Sequence, residues 1–503
     1  MTRLTDRRTR RAPGSGSTRA LLVVVCLAQF MVILDVSIVN VAMPTIGRGL
    51  SFAPEDLQWV INAYTILFAG FLMLGGRCAD LLGRRRVFLA GTALFSLCSL
   101  GCSLADSQAL LLVARGLQGF AGALVSPATL SIITSSLREG PERNRGVGLW
   151  GAMGGLGGSS GVLLGGVLTQ AFGWQAIFAV NVPIGIGVVL TGMRVLPRMS
   201  PAGGERHFDA TGAVLITASL IGFTYGLVRS DALGWGSAGV IAPLAAAAGL
   251  FLAFLLVEAR VARSPLVPLG VLRLGRLRAA NAVVALLYAA VFPLWFFLTL
   301  YLQQVLGMSA LQAGLAFLPM TLSIFAASTF APRLVAAVGA RGLISTGLVL
   351  SGIGIALLSG VQPGGSYAGS VLPGALLASI GMGCALVPAT IVAMQGLPGR
   401  LSGLGSGVLN TSRLMGGAVG LALLSTIATA QTQGERGVNA ARALTDGFDL
   451  AFVVAAGLCA AGAALAVALL GRRPTAGGAE TAKAGLAHEA AHGAGELAES
   501  AAA

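Results

Sequence analysis

The sequence predicts an all-α polytopic membrane protein of fourteen transmembrane helices, and three observations predict it. The 503-residue chain is 55% hydrophobic and only 10% charged, far from the roughly 25% charge of soluble domains. Apolar runs of about twenty residues, the length that spans a bilayer, recur from end to end and leave no stretch for a separate globular domain. The basic residues alternate in position. Of 33 Lys and Arg, all lie in the two tails and every second loop except Arg48, Arg229, Arg436 and Arg442 in the other loops and Arg115 and Arg413 inside apolar runs. That positive-inside distribution places both termini in the cytoplasm. It also argues against a nucleic-acid partner, although the net charge is +14.

The elements follow in order. Residues 1–19 hold Arg3, Arg7, Arg8, Arg10, Arg11 and Arg19 among Ser, Gly and Pro and read as a disordered cytoplasmic tail. The next run is too long for a signal peptide and no small-residue cleavage site closes it. Helix 1 begins at Ala20. Further apolar segments occupy 57–76, 87–105, 108–136, 146–170, 176–196, 211–229, 238–258, 279–303, 311–331, 342–360, 369–395, 402–430 and 449–470. The resulting even number of spans agrees with the charge rule. Beyond Thr475 the chain is rich in Ala, Gly and Glu and reads as a second tail with little fixed structure.

An internal echo divides the chain. Arg77, Gly83 and Arg85 after helix 2 recur as Arg333, Gly339 and Arg341 after helix 10, at a constant offset of 256 residues. This maps residues 20–196 onto 279–470 as two six-helix halves, with two inserted helices and cytoplasmic loops in 197–278 and a tail in 471–503. Two parallel repeats enclosing a midplane cavity suit alternating access by rocking.

Six cysteines lie in or beside apolar runs, so no disulfide framework is indicated. Cys98 and Cys102 share a helix face without His or acid partners nearby, which favours small core residues over a metal site. His207, His488 and His492 lie in a loop and the tail. No metal or catalytic cluster is expected, and a lone acid does not make a membrane-embedded enzyme.

That acid is Asp35, about fifteen residues into the first apolar run. An ionised carboxylate in hydrocarbon costs roughly 2.5–3.5 kcal/mol on insertion scales. Such a group suits a proton carrier or cation site; the alternative is an Asp hydrogen-bonded to a neighbouring helix for packing. All other acids lie in loops, tails or helix ends by this reading, and helix 10 has none. A monovalent cationic, zwitterionic or neutral lipophile is therefore the expected substrate. Arg413 could instead serve an anionic group or pair with a backbone carbonyl. Tyr64, Asn181, Trp295 and Arg413 are candidates for the walls of a substrate cavity.

Several motifs resemble one family along nearly the whole membrane region. Gly76-Arg77-Cys78-Ala79-Asp80-Leu81-Leu82-Gly83-Arg84-Arg85-Arg86 is similar to the signature turn G-x-x-x-D-R-x-G-R-R of the major facilitator superfamily, with Leu81 in place of Arg. Ala114-Arg115-Gly116-Leu117-Gln118-Gly119 is similar to its R-x-x-Q-G motif. Gly161-Val162-Leu163-Leu164-Gly165-Gly166 resembles its antiporter motif G-P-x-x-G-G, with Val162 in place of Pro. Gly157, Gly161 and Gly165 also form a smooth stripe for close helix approach. Leu34 to Pro44 resembles L-D-x-T-I-V-N-V-A-L-P, and Trp174 to Gly185 resembles W-R-W-I-F-x-x-N-x-P-x-G, with Gln175 and Ala176 departing. These segments identify the chain with the fourteen-helix drug:proton antiporter family.

The resemblance implies a major facilitator fold and a secondary active transporter, not an enzyme, in the bacterial cytoplasmic membrane. It implies a monomer that exports hydrophobic drugs or antibiotics against protons, driven by the proton gradient and using no cofactor. Asp35, Arg115 and Asn40 would couple proton to substrate, with Gln118 and Gly119 completing the helix 4 motif. Gly76, Asp80, Gly83, Arg84 and Arg85 would form a cytoplasmic gate. Gly157, Gly161, Gly165 and Gly166 would carry the antiporter motif. A same-fold exporter dedicated to one metabolite, antibiotic or lipid is the alternative; a membrane sensor would need a signalling module that the short tails do not supply.

Overall fold

The computed structural model describes residues 15–52, 54–197, 209–260, 275–395, 397, 401–434 and 440–470. The expected tail beyond residue 470, most of the N-terminal tail and the three histidines lie outside the described residues. Among the described residues, fourteen helices are long and apolar enough to cross a membrane. They are α1 (Ser15–Gly49), α2 (Trp59–Leu82), α3 (Arg84–Ser103), α4 (Gln108–Ser136), α5 (Pro141–Phe172), α6 (Asn181–Val195, after a helical turn at Ala176–Ala179) and α7 (Ala210–Leu233). There follow α8 (Ala238–Arg260), α9 (Gly275–Leu300), α10 (Leu318–Val338), α11 (Ala340–Leu357), α12 (Leu372–Met394), α13 (Ser402–Gly434) and α14 (Ala440–Leu469). Hydrocarbon offers backbone N–H and C=O groups no partners, so each span satisfies its own as a helix. Outward-facing residues such as Leu97, Leu104 and Leu252 leave an apolar exterior, the face a bilayer covers.

Several helix ends lie beyond the apolar pattern: α1 begins at Ser15, inside the stretch read as a disordered tail, and α5 at Pro141 rather than 146. Helix 14 begins at Ala440 rather than 449, because the backbone ladder continues outward past the end of the apolar pattern. Asp446 and Asp449 are therefore inside a helix and not at its end. Residues 311–331 contain a break: a short helix, Ala310–Ala316, opens with a Ser309–Gln312 capping box and hands over to α10 at Phe317.

The echoed turns share backbone geometry. Gly83, between α2 and α3, has φ 98°, and Gly339, between α10 and α11, has φ 81°. A side chain is strained at such angles and glycine is not, which accounts for the matched glycines.

Close helix approach organises the first half. α1 lies along α5, and a Cβ at Gly157 would stand 2.9 Å from the Ile33 Cβ, one at Gly161 2.5 Å from the Ser37 Cβ, and one at Gly165 2.9 Å from the Ile38 carbonyl. The Ser37 hydroxyl uses this proximity to donate to the Gly158 carbonyl at 2.5 Å. Gly166 is half-buried beside the stripe. The other edge of α5 packs on α10 of the second half, with Gly148 against Ser328 and Pro332 and Gly155 against Thr321 and Ile324. The inserted pair α7–α8 lies on the seam: α7 touches both α2 and α13, and the turn after it is tied down by Trp235 Nε1 donating to Thr426 Oγ1 at 2.6 Å.

Gly161→Val should force α1 and α5 apart and lower stability by about 1–3 kcal/mol. Gly158→Ala, whose new Cβ would meet nothing within 4 Å, should be neutral or stabilising. Thermal unfolding of the two variants in detergent checks the contrast.

Candidate functional site

The candidate site is a buried ion pair whose partners come from separate helices. Asp35, on α1, has no solvent exposure, and Arg115, on α4, has 1%. Arg115 Nη1 donates to Asp35 Oδ2 at 2.7 Å. The other carboxylate oxygen accepts from Gln118 Nε2 and from Asn181 Nδ2, each at 2.8 Å. Arg115 is held in turn: Nε donates to the Val60 carbonyl of α2 at 3.0 Å, and Nη1 also reaches Gln118 Oε1 at 2.8 Å. Its guanidinium carbon lies 4.5 Å from the Tyr64 ring centroid and 5.6 Å from that of Phe178, within range of cation–π attraction. Ser99 of α3 accepts from Gln118 and Asn181 and donates to the Phe178 carbonyl at 2.8 Å.

Local sequence explains why these side chains converge. Arg115 and Gln118 are three apart on α4 and so share a helix face. Gly119 sits directly against the Tyr64 backbone, bringing α4 close enough to α2 for Arg115 to reach the Val60 carbonyl. Asn181 opens α6 next to the buried Phe178. Three protein donors meet Asp35, two at one carboxylate oxygen and Arg115 at the other, and hydrogen bonds in which a charge takes part are the strong ones. A proton added at Oδ2 would displace Arg115.

Tyr64 and Asn181, expected on a cavity wall, are packed around this pair with 2% and no exposure. Tyr64 is an apolar plate for Arg115, not a lining residue. Asn40 does not join the network: its amide is exposed and donates to carbonyls of its own helix, at 3.1 Å to Val36 and 3.4 Å to Ser37. Trp295 is half-buried against the Phe317 ring, 5.1 Å between centroids. Ser99 was invisible in the sequence; its one signal is membership of a hydroxyl stripe, Thr92, Ser96, Ser99 and Ser103, along α3.

A second polar cluster closes the end of the bundle that carries the arginine-rich turn. Asp80, 3% exposed, accepts from the backbone N–H groups of Gly403 and Leu404 at 2.9 Å each. These are unpaired donors at the N-terminus of α13, where a carboxylate is favoured. Arg84 Nη2 donates to Asp80 at 3.0 Å and its Nε to Ser131 at 2.7 Å; it supplies the charge missing at Leu81. Ser131 meets Ser402 of the second half at 2.9 Å, and Gly76 packs on Gly403 and Gly407. Arg85 reaches away, to the Met193 carbonyl of α6 at 2.5 Å. Arg143, not singled out from the sequence, adds another link by donating to the Met394 carbonyl at 2.7 Å. The two halves are thus clamped together at this end.

The model of the Major Facilitator Superfamily matches residues 25–421. The chain belongs to this superfamily. Its relatives include the cephamycin export protein CmcT of Amycolatopsis lactamdurans, 43% identical over 85% of this chain and 88% of that one. The puromycin resistance protein pur8 of Streptomyces alboniger is 36% identical over 90% of this chain and 91% of its own. The multidrug resistance protein Stp of Mycobacterium tuberculosis is 34% identical over 81% of this chain and 75% of its own. Among solved structures, the human organic anion transporter MFSD10 shares the fold with a TM-score of 0.65 at 17% identity, over 89% of this chain and 99% of that one. As a superfamily member the chain is a transporter.

Two outcomes are expected of variants. Asp35→Asn or Arg115→Met alone should destabilise the protein by about 3–5 kcal/mol through the partner left behind, and combining them should recover part of the loss; denaturation of all three in detergent checks the non-additivity. Asp80→Ala removes charged hydrogen bonds worth roughly 1.5–3 kcal/mol each. It should raise maleimide labelling of a cysteine placed at Ser402 by about tenfold or more, in a background lacking the native cysteines.

Proposed function

We propose that this transporter exports hydrophobic small molecules, antibiotics among them, across the bacterial cytoplasmic membrane in exchange for protons. Both termini lie in the cytoplasm, on the side of the Asp80 clamp, and one chain is the working unit. The observation that carries the reading is the Asp35–Arg115 pair: a carboxylate with no solvent exposure whose counter-charge sits on another helix. The export and resistance roles in the names of its relatives support the direction and the kind of cargo.

In this mechanism a proton from outside neutralises Asp35 and breaks its bond with Arg115. Arg115 stays anchored by the Val60 carbonyl and the Tyr64 ring, while α1 is freed to shift. α1 is keyed to α5 through the glycine stripe, and α5 is packed on α10 in the other half. Movement of α1 therefore reaches the seam through rigid helices. Rupture of the Asp80–α13 clamp opens the cytoplasmic side, and release of the proton there restores the pair. The driving force is about 2.3 kcal/mol per charge per 100 mV, with roughly 1.4 kcal/mol more per pH unit. One proton therefore sustains a substantial concentration gradient.

The test is proton release on adding puromycin, or another lipophilic antibiotic shown to bind, to purified protein in weakly buffered detergent. The wild type should acidify the medium. Asp35→Asn should bind within about threefold of the wild-type affinity and release no proton. Binding by the wild type with no release would overturn exchange at Asp35.

A further inference from the structure

The second intramembrane arginine has surroundings opposite to those of Arg115. Arg413 lies eleven residues into α13, roughly 16 Å along the helix, near the middle of a hydrocarbon layer about 30 Å thick. A guanidinium offers five N–H donors. Among the described residues Arg413 meets two neutral acceptors, Tyr288 Oη at 2.5 Å and Asn410 Oδ1 at 3.3 Å. No carboxylate pairs with it: the ion pairs among the described residues are Arg84–Asp80, Arg115–Asp35 and Arg143–Glu139. The backbone-carbonyl partner considered from the sequence is not what the side chain finds.

Two aromatic rings frame this charge, one from each half. Its guanidinium carbon is 4.8 Å from the Tyr288 centroid on α9 and 5.3 Å from the Trp150 centroid on α5. Trp150 is itself pinned, since its Nε1 donates to Thr129 Oγ1 at 2.8 Å, and Thr129 donates to Gln29 Oε1 at 3.2 Å. The guanidinium is thus held in the seam between the halves, half-buried, with positive charge unneutralised where unpaired charge is expensive. Tyr288 accepts from Arg413, which leaves its own O–H free to donate to a third group.

We propose that Arg413, with Tyr288 and Trp150, binds the anionic group of the transported molecule, so that the preferred cargo is a lipophilic organic acid. This rests on the exporter reading above and specifies its substrate class. The survey of acids pointed to a cationic, zwitterionic or neutral cargo, but the geometry points elsewhere. Asp35 already has its counter-charge in Arg115, at 2.7 Å. Arg413 has spare donors, a flat aromatic neighbour on each side and a place between the moving halves. A carboxylate or sulfonate would accept from the guanidinium and from the Tyr288 hydroxyl, while the buried Trp150 ring holds the guanidinium in place.

Dansyl-phenylalanine and its methyl ester form a matched probe pair that differs in one negative charge. Binding to purified protein, read by energy transfer from tryptophan to dansyl, should favour the acid by about tenfold to a hundredfold, as expected for a charge-assisted bond. Arg413→Gln should abolish that preference by weakening the acid far more than the ester, Arg413→Lys should keep part of it, and Tyr288→Phe should narrow it. The Tyr288→Phe variant removes one oxygen atom and provides the comparison if Arg413→Gln does not fold. Equal binding of acid and ester by the wild type would overturn the anion site. Uptake of both probes into everted vesicles, with and without an imposed pH gradient, separates this inference from the exporter reading. Gradient-driven uptake without acid preference defeats the anion site alone, whereas acid-selective binding without gradient-driven uptake defeats proton-driven export alone.

Discussion

A carboxylate and a guanidinium that neither water nor lipid can solvate hold the first half of this protein together. Either charge alone would be costly at that depth, and removing one partner of a buried pair is worse than removing both. Asp35 and Arg115 are accordingly built in as a unit. Donors from α4 and α6 fill the carboxylate, the Val60 carbonyl of α2 takes the guanidinium Nε, and Ser99 of α3 supports the two amides. One electrostatic requirement thus ties α1, α2, α3, α4 and α6 to a common point. The exchange mechanism proposed above uses this same point as its switch.

The clamp formed by Asp80 uses a different kind of positive partner. Its carboxylate sits on the open N-terminus of α13, where backbone N–H groups supply fixed partial charge, and Arg84 completes the coordination. Such a contact joins α2 to the start of α13 through charge-assisted hydrogen bonds. The turn after α10 shares the positive-φ glycine but not the acid. Among the described residues it has no such carboxylate clamp, so the two echoed turns are not equivalent.

Two arginines inside apolar helices show how context divides one residue type into two roles. Arg115 has a carboxylate, an amide, a carbonyl and two rings around it, and its charge is neutralised within the pair. Arg413 has two neutral acceptors and two rings, and retains both charge and donors. In the sequence both were simply rare charges in hydrophobic runs. Their difference turns on Asp35, 80 positions from Arg115 in the chain, so no local pattern distinguishes them. Tyr64 and Asn181 were misplaced for the same reason: an aromatic or an amide in a membrane helix looks alike whether it faces a cavity or a buried ion pair.

What the chain by itself determined was the number of helices, the periodic glycines that let them touch, and the few polar residues hydrocarbon would not tolerate without cause. Those are local properties: a twenty-residue apolar run closes its own hydrogen bonds, and a charge within it stands out against its neighbours. Asp35, Arg115, Gln118 and Asp80 were legible on that basis. Only the tertiary structure decided that Arg115 meets Asp35, that the amide of Asn181 completes the pair, that Asn40 turns back on its own helix, and that Arg143 reaches Met394. It also carried the last helix outward to Ala440, beyond the apolar pattern. Partnership between distant segments follows from how the helices pack, which hydropathy does not encode.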